Sequence, residues 1–186
     1  MIDNDQLAHL RSWMGKSETT SDQITPTSVR GMSATLDRDD AAPVAGTTLP
    51  LLWHWLYFLP QARQSELGAD GHPTRGGFLP PVPLPRRMWA GGRLQWETAN
   101  PMRVGETVER VSPIRSVTHK TGRSGELLFV LVEHRYSNAN GLALTEEHDI
   151  VYRAAAEPGA PEPAPQTPPL AGQESWSRRI VPDDVL

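Results

Sequence analysis

The chain has 186 residues, a length that suits one sizeable domain or two very small ones. Hydrophobic residues make up 38% of it, which is enough for a packed core. The formal net charge of -4 argues against a nucleic-acid-binding surface over the whole molecule. The absence of cysteine excludes a disulfide framework, a thiol nucleophile and a cysteine-ligated metal site, and it fits a reducing cytoplasm.

The N-terminal residues 1–16 lack the features of a secretion signal. Asp3 and Asp5 stand where a signal peptide would be basic, and no apolar stretch follows them. The most apolar run, residues 49–59, is too short to cross a bilayer and contains His54. The sequence therefore predicts a soluble, cytoplasmic protein without a membrane segment.

The first elements are expected to be helical. Asn4 can cap a short helix. Residues 17–23 are polar, and we expect an irregular or extended segment there. Thr25 and Pro26 indicate a second helix start, because threonine is a good N-cap and proline is tolerated at the first helical position. Apolar residues then recur at helical spacing as far as Leu36.

The middle of the chain is less regular. Residues 49–59 are rich in aromatics, and their length alone leaves a buried strand and a short buried helix equally open. Residues 76–85 contain four prolines and two glycines, which is typical of an irregular loop. The large apolar side chains of Phe78 and Leu79 favour an ordered loop.

From Arg86 onward the pattern is that of β-structure. Pro113 suggests a bulge or an edge position, and Asn140-Gly141 is the strongest hairpin signal in the chain. At least four antiparallel strands are predicted, at residues 88–97, 107–119, 127–136 and 142–153. Helical elements followed by such strands predict an α+β fold in which a helix or a second sheet covers the apolar face.

The composition changes again after Arg153. Six prolines among alanines and glutamates predict a semi-rigid spacer at residues 154–173. Residues 174–186 regain apolar side chains, as expected where a further domain begins. We therefore divide the chain into a domain at 1–153, a linker at 154–173 and the start of a second unit at 174–186.

Four segments carry a resemblance to a known family: LWHWLYF at 52–58, DGHP at 70–73, GGFLPPVPLPRRMWAGG at 76–92 and EEHDIVYR at 146–153. They resemble the N-terminal, MaoC-like hot-dog domain of mesaconyl-CoA (3-methylfumaryl-CoA) hydratases. That family is related to the type 2 hydroxyacyl-thioester dehydratases. The resemblance implies a hot-dog fold for residues 1–153, in which a curved antiparallel sheet wraps a central helix. It also implies that residues 174–186 open a second, truncated hot-dog unit.

The same resemblance implies a hydro-lyase acting on a branched dicarboxylic acyl-CoA, with no cofactor and no metal. In such enzymes two hot-dog units pack side by side, and an aspartate and a histidine of the C-terminal unit activate the attacking water. This chain would then be the N-terminal, substrate-shaping half, with no catalytic pair of its own and a second hot-dog subunit or domain as partner. A histidine and a carboxylate of this chain facing each other in one deep acyl cavity would contradict that expectation. The alternatives are a non-catalytic acyl-CoA-binding module and a hot-dog thioesterase.

Arg86 and Arg87 lie beside Trp89, Gly91 and Gly92 and form the best candidate ligand site. Arginines bind the phosphates of coenzyme A well, an indole can stack on its adenine, and glycines let the pantetheine arm approach the backbone. The competing interpretation is that both arginines pair with acidic neighbours while Trp89 fills the core.

His54, between two tryptophans, is a further candidate substrate contact, although a hydrogen-bonded core histidine is the more common role. No aspartate lies at a spacing that identifies a partner for it. Asp70 and His72 look like a dyad, but Asp-Gly-His-Pro is typical of a turn. Residues 146–149, EEHD, resemble metal ligands in composition; strand alternation prevents all four from meeting at one ion, and we expect a solvated strand face.

Overall fold

The computed structural model describes residues 2–122 and 125–155. These residues form two helices, two short 3₁₀ turns and one five-stranded antiparallel sheet in the order β1-β3-β4-β5-β2, which confirms the predicted α+β arrangement. The elements are α1 (Asn4–Arg11), β1 (Ser17–Gln23), α2 (Pro26–Thr35), the 3₁₀ turns Trp53–Leu56 and Gln64–Glu66, β2 (Arg86–Trp96), β3 (Thr107–Gly122), β4 (Gly125–Asn138) and β5 (Gly141–Arg153).

Both predicted helices are present. The cap of α1 is Asp3 and not Asn4: the Asp3 carboxylate accepts a bond from the Gln6 amide at 2.8 Å, and the Gln6 side chain accepts one from the Asp3 amide at 3.1 Å. This reciprocal pair satisfies two free amides at once, which explains the shift by one residue. Thr25 and Pro26 begin α2 as predicted, although the Thr25 side chain makes no capping hydrogen bond.

The strands follow the predicted order with longer bounds. Residues 17–23 are the edge strand β1, paired with β3. The connection between the strands predicted at 107–119 and 127–136 is shorter than those bounds imply, because β3 and β4 stay paired up to Gly122 and Gly125. A bulge in β3 lies between Ile114 and Ser116, close to Pro113, where the sequence suggested a bulge or an edge position. The Asn140-Gly141 hairpin is confirmed, with Gly141 at a φ of 108° that favours glycine.

The inner face of the sheet is covered at two ends by separate apolar clusters. The aromatic cluster packs α2 and residues 49–58 against one end; it contains Trp53, Tyr57 and Phe58 together with Tyr136 and Leu144 of the sheet. The aliphatic cluster packs α1 and the proline-rich loop against the other end. Its core includes Leu10, Val82, Leu84, Ile114, Val130 and Ile150.

The two irregular segments are ordered parts of this cover. Residues 49–59, which the sequence left open between strand and helix, contain the single 3₁₀ turn Trp53–Leu56. Residues 76–85 form the expected ordered loop, in which Val82 and Leu84 are buried. The segments predicted as linker and second unit, at 154–173 and 174–186, lie outside the described residues apart from Ala154 and Ala155. No helix within residues 2–122 and 125–155 is long and apolar enough to cross a membrane.

Two neighbouring glycines in β2 differ in how much space they have. A Cβ atom on Gly92 would lie 2.9 Å from the Glu147 carbonyl oxygen of the adjacent strand, whereas one on Gly91 would meet its nearest atom at 3.9 Å. We therefore expect Gly92→Ala to lower the free energy of unfolding by about 1–3 kcal/mol, because backbone would have to shift. Gly91→Ala is the matched control and should change it by less than about 1 kcal/mol. Urea unfolding of both variants measures the difference, and equal values would contradict the prediction.

Candidate functional site

A row of polar side chains crosses the inner face between the two apolar clusters. Arg110 and Ser112 of β3, His134 of β4, and Glu146 and His148 of β5 form this polar row. Strand alternation places them there: Val132, His134 and Tyr136 share one face of β4, and His134 pairs directly with Glu146. Burying polar groups in the middle of an otherwise apolar face costs free energy unless they form hydrogen bonds or contact a ligand.

Glu146 is the most heavily bonded member of the row. Its Oε1 accepts a hydrogen bond from the Trp55 indole at 2.9 Å. Its Oε2 accepts one from the Tyr136 hydroxyl at 2.8 Å and lies 3.2 Å from Nε2 of His54. Glu146 is 9% exposed and His54 is 1% exposed. The carboxylate therefore joins the 3₁₀ turn to two central strands.

These contacts decide the charge states at this end of the row. Burial acts to raise the pKa of Glu146, but the bonds from His54, Trp55 and Tyr136 outweigh it, and the net effect is a pKa well below the usual range. Burial and the adjacent Glu146 charge both raise the pKa of Tyr136. At neutral pH Glu146 is thus a carboxylate with occupied oxygens, and Tyr136 keeps its proton as a donor.

The 3₁₀ turn that carries His54 and Trp55 is flanked by two residues with unusual backbone geometry. Leu52 before the turn has a φ of 72° and Phe58 after it a φ of 56°, a region that non-glycine residues seldom occupy. Such residues cost on the order of 1–3 kcal/mol each and persist only where the surroundings fix them. Here the Phe58 amide donates to an Asp22 carboxylate oxygen at 2.8 Å, which ties the turn to β1.

The two histidines of the row are half-buried. His134 Nδ1 lies 2.8 Å from the Oγ of Ser112, which is fully buried. Burial, and then the positive charge of Arg110, lower the pKa of His134 to about 4. Burial likewise lowers the pKa of His148. Both rings are therefore neutral at pH 7 and can donate or accept one hydrogen bond each.

Three adjoining cavities open along the polar row and together form the groove. They measure about 480, 390 and 330 Å³, and His148 lines all of them. Arg110 and His134 line the two larger ones, whereas Glu146 lines the second and Arg87 the first and third. The largest has apolar walls that include Phe78, Leu79 and Ile150. An apolar cleft with a few convergent polar groups is the usual form of a small-molecule site.

The two arginines predicted to bind ligand are separated by strand alternation. Arg87 points to the inner face; its side chain is 13% exposed and lies 3.5 Å from Asp70. Its Nε is buried without a hydrogen-bond partner among the described residues. Arg86 is exposed and does not line the groove. The structure thus brings Arg87 to the groove and leaves Arg86 outside it.

Trp89, 68% exposed, does not fill the core, so the competing interpretation is wrong for this residue, although Arg87 does have an acidic neighbour in Asp70. It lines the second and third cavities at the mouth of the groove. Gly92 lies under its indole ring and close to the Glu147 carbonyl, so its lack of a side chain serves the packing of two strands. Gly91 is beside the bulge in β2.

The remaining candidates have mixed outcomes. His54 is a hydrogen-bonded core histidine, and its partner is Glu146, which a search for nearby aspartates could not find. The Asp70–His72 turn is confirmed, because the His72 amide donates to the Asp70 carboxylate at 3.2 Å. The prediction that residues 146–149 are a solvated face is wrong for Glu146 and His148. Only Glu147 and Asp149 face outward, where they pair with Arg93.

The sequence reasoning missed Arg110, Ser112, His134 and Tyr136. A signal was available in the alternation of β4, where Leu128, Val130 and Val132 share a phase with His134 and Tyr136. Polar residues on the buried phase of a strand point to a site.

The half-enzyme expectation excludes a histidine and a carboxylate that face each other in one cavity. His54 lines none of the three cavities, whereas His134, His148 and Glu146 all line the second one. Both oxygens of that carboxylate accept hydrogen bonds from Trp55 and Tyr136, and neither histidine is bonded to it.

The fold is that of a hot-dog domain. One chain of the ChsH1-ChsH2 complex from Mycobacterium tuberculosis superimposes with a TM-score of 0.54 at 13% identity, over 82% of this chain and 92% of that chain. A MaoC-like dehydratase from Rhodospirillum rubrum gives a TM-score of 0.42 at 13% identity, over 77% of this chain and 94% of that one. The match to the ChsH1-ChsH2 complex confirms the predicted fold class.

The family is shown by sequence. The model of hydroxyacyl-thioester dehydratase type 2 matches residues 52–186, and this chain belongs to that family. A curated relative, the mesaconyl-C(4)-CoA hydratase of Chloroflexus aurantiacus, is 46% identical over 178 residues. That alignment covers 94% of this chain and 61% of the relative, so the chain spans about three fifths of the relative's length.

Replacing Glu146 by glutamine tests its role as an anchor. The glutamine side chain would replace one acceptor oxygen with an NH₂ group that faces the donors of His54, Trp55 or Tyr136. Because a buried donor then loses its acceptor, we expect the free energy of unfolding at pH 7 to fall by about 1–3 kcal/mol. The stability that ionised Glu146 contributes is present above the unfolded pKa and is lost as the pH falls through the lower folded pKa. The gap between wild type and Glu146→Gln should therefore narrow below about pH 4. Glu147→Gln, one residue away on the outer face, is the control and should show a smaller loss; an equal loss would contradict the assignment.

The His134 imidazole should titrate near pH 4 in the folded chain, followed by NMR and assigned by the signal lost in His134→Gln. In the unfolded chain the same imidazole takes up its proton near pH 6.5. Through this group the free energy of unfolding should therefore fall by on the order of 1–2 kcal/mol between pH 7 and pH 5. His134→Gln should lose correspondingly less over the same interval in urea unfolding. A His134 resonance that titrates near pH 6.5 would disprove the burial effect.

Proposed function

We propose that this chain is the N-terminal, substrate-shaping half of a cytoplasmic enoyl-CoA hydratase that acts on a branched dicarboxylic acyl-CoA such as mesaconyl-CoA. The observation that carries the proposal is the groove on the inner face, with apolar walls, a polar row and Arg87 at its side. Membership of the dehydratase family and 46% identity to a mesaconyl-C(4)-CoA hydratase support the reaction class and the acyl group.

In this proposal the groove binds and does not activate water. Addition of water across an enoyl thioester needs one group that takes a proton from water and another that delivers one to the α-carbon. Glu146 is a weak base, because three donors hold its charge and occupy its oxygens. Ser112 has no exposed surface and cannot reach a thioester as a nucleophile. His134 and His148 also line the groove, but burial lowers the pKa of both, which makes each a weaker base than a free imidazole. The proposal therefore assigns the acid–base pair to a second hot-dog unit, in a C-terminal domain or in a partner chain.

The exposed side chains at the mouth of the groove suit such a partner. Trp55 and Trp89 both line the second cavity and are 46% and 68% exposed. Large aromatic side chains left in solvent are typical of surfaces that another protein or a ligand covers. A second hot-dog unit would close the mouth here, with coenzyme A entering beside Trp89 and Arg87.

A reconstitution assay tests the division of labour. The purified chain should hydrate mesaconyl-CoA at a rate indistinguishable from the buffer, because it lacks the acid–base pair. Addition of a C-terminal hot-dog partner should restore turnover, followed by loss of enoyl-thioester absorbance. Fast hydration by the chain alone would overturn the proposal.

The same samples distinguish the two alternatives. A thiol reagent detects free coenzyme A, which a thioesterase releases and a hydratase does not. Calorimetry with acyl-CoA esters detects a module that binds without turnover, and Arg86→Ala against Arg87→Ala shows which arginine contributes. Because Arg87 lines the groove and Arg86 does not, Arg87→Ala should weaken acyl-CoA binding more than Arg86→Ala.

A further inference from the structure

We infer that Arg110 binds the free carboxylate of a dicarboxylic acyl group, and that the groove thereby selects acyl thioesters that carry a second negative charge. This inference deepens the proposed function and takes the identity of the thioester from it. The carboxylate site itself is argued from the charges and contacts of the groove.

Arg110 lies on the inner face and lines two of the three cavities of the groove. It belongs to the polar row on β3 and lines both the 480 Å³ and the 390 Å³ cavities. Its side chain is only 17% exposed, and its guanidinium carbon lies 5.3 Å from the centre of the Phe58 ring. A guanidinium in such a position has lost much of its hydration and interacts strongly with an anion that enters.

The charge of Arg110 is incompletely balanced by the protein. Its ion-pair partner is Glu18 on β1, at 3.8 Å and with a side chain 39% exposed, which is a long and partly solvated contact. Glu146 lines the 390 Å³ cavity with Arg110, but its oxygens are held by His54, Trp55 and Tyr136. The buried Nε of Arg110 has no hydrogen-bond partner among the described residues. A buried donor without a partner is costly, so a ligand that supplies the acceptor is favoured.

The 480 Å³ cavity is lined by more basic than acidic side chains. Arg75 and Arg87 line it together with Arg110, against Glu18 as its acidic lining residue. Arg75 donates to the backbone carbonyls of Val82, Leu84 and Pro85, which are neutral and leave its charge in place. This local excess of positive charge runs against the chain's net charge of -4. The groove therefore attracts anions.

The surroundings favour a carboxylate over a phosphate. The wall beside Arg110 is apolar, with Phe58, Val132 and Ile150. The neighbouring His134 is neutral at pH 7 and adds a hydrogen-bonding group without a further charge. A planar carboxylate matches the fork of a single guanidinium, and the apolar wall accommodates a methyl branch and a double bond. The phosphates of coenzyme A are large and strongly hydrated, which suits the exposed mouth near Trp89.

Two thioesters that differ only at this group provide the test. Mesaconyl-C(4)-CoA carries a carboxylate where 3-methylcrotonyl-CoA carries a methyl group. By calorimetry on the full chain, we expect wild type to bind the former at least roughly tenfold more tightly. Arg110→Gln should weaken mesaconyl-C(4)-CoA binding by roughly ten- to a hundredfold and leave 3-methylcrotonyl-CoA within about twofold. Arg115→Gln, on the opposite face of the same strand and paired with Glu133, is the matched control and should change neither.

The outcomes separate the inference from the proposed function. Equal affinities of wild type for the two thioesters, or equal losses of both in Arg110→Gln, would refute the carboxylate site while the hydratase proposal stands. If neither thioester binds, free mesaconate and 3-methylcrotonate are titrated by NMR. Mesaconate binding that Arg110→Gln abolishes would then support the carboxylate site and refute the thioester; no mesaconate binding would refute both. The wild-type comparison needs no variant, and Arg110→Lys serves if the glutamine variant does not fold.

Discussion

The carboxylate of Glu146 is where the sheet, the irregular cover and the groove meet. Its three donors come from a 3₁₀ turn and from a neighbouring strand, so one side chain fixes the position of His54, Trp55 and Tyr136 relative to the sheet. Leaving any of these buried groups unpaired would cost about 1–3 kcal/mol. The left-handed backbone at Leu52 and Phe58 is tolerated because this anchor and the Asp22 contact hold the turn between them.

The gap between the two apolar clusters follows from the same arrangement. The aromatic cluster ends at Tyr136 and Leu144, whereas the aliphatic cluster begins at Val132 and Ile150. Between them the inner face carries side chains that cannot be sealed under an apolar lid without loss of their hydrogen bonds. The cover therefore stops on both sides of the polar row, and the space that remains is the groove.

Local patterns predicted much of the fold and little of the groove. Thr25-Pro26 and Asn140-Gly141 act through their own backbone preferences, so their positions were predictable from neighbours in sequence. The partner of His54 is 92 residues away, and no local spacing encodes that contact. The composition of residues 146–149 suggested a solvated strand face. The alternation of side chains along β5, which argued against a metal site, also places Glu146 and His148 on the same face as the buried Ile150. Residues 146–149 are thus two pairs with opposite surroundings, and the inner pair belongs to the groove.

The charges on the inner face also explain why neighbouring arginines differ in what they can do. Arg93 is exposed on the outer face and forms ion pairs with Glu147 and Asp149, so its charge is neutralised within the protein. Arg110 lies on the inner face with a distant carboxylate and an unbonded Nε, and burial removes the water that would otherwise compensate it. An arginine in that state raises the affinity for an anion without moving a proton, because its own proton cannot be removed near neutral pH. Charge recognition and proton transfer are therefore separable tasks, and the side chains of this groove are suited to the first.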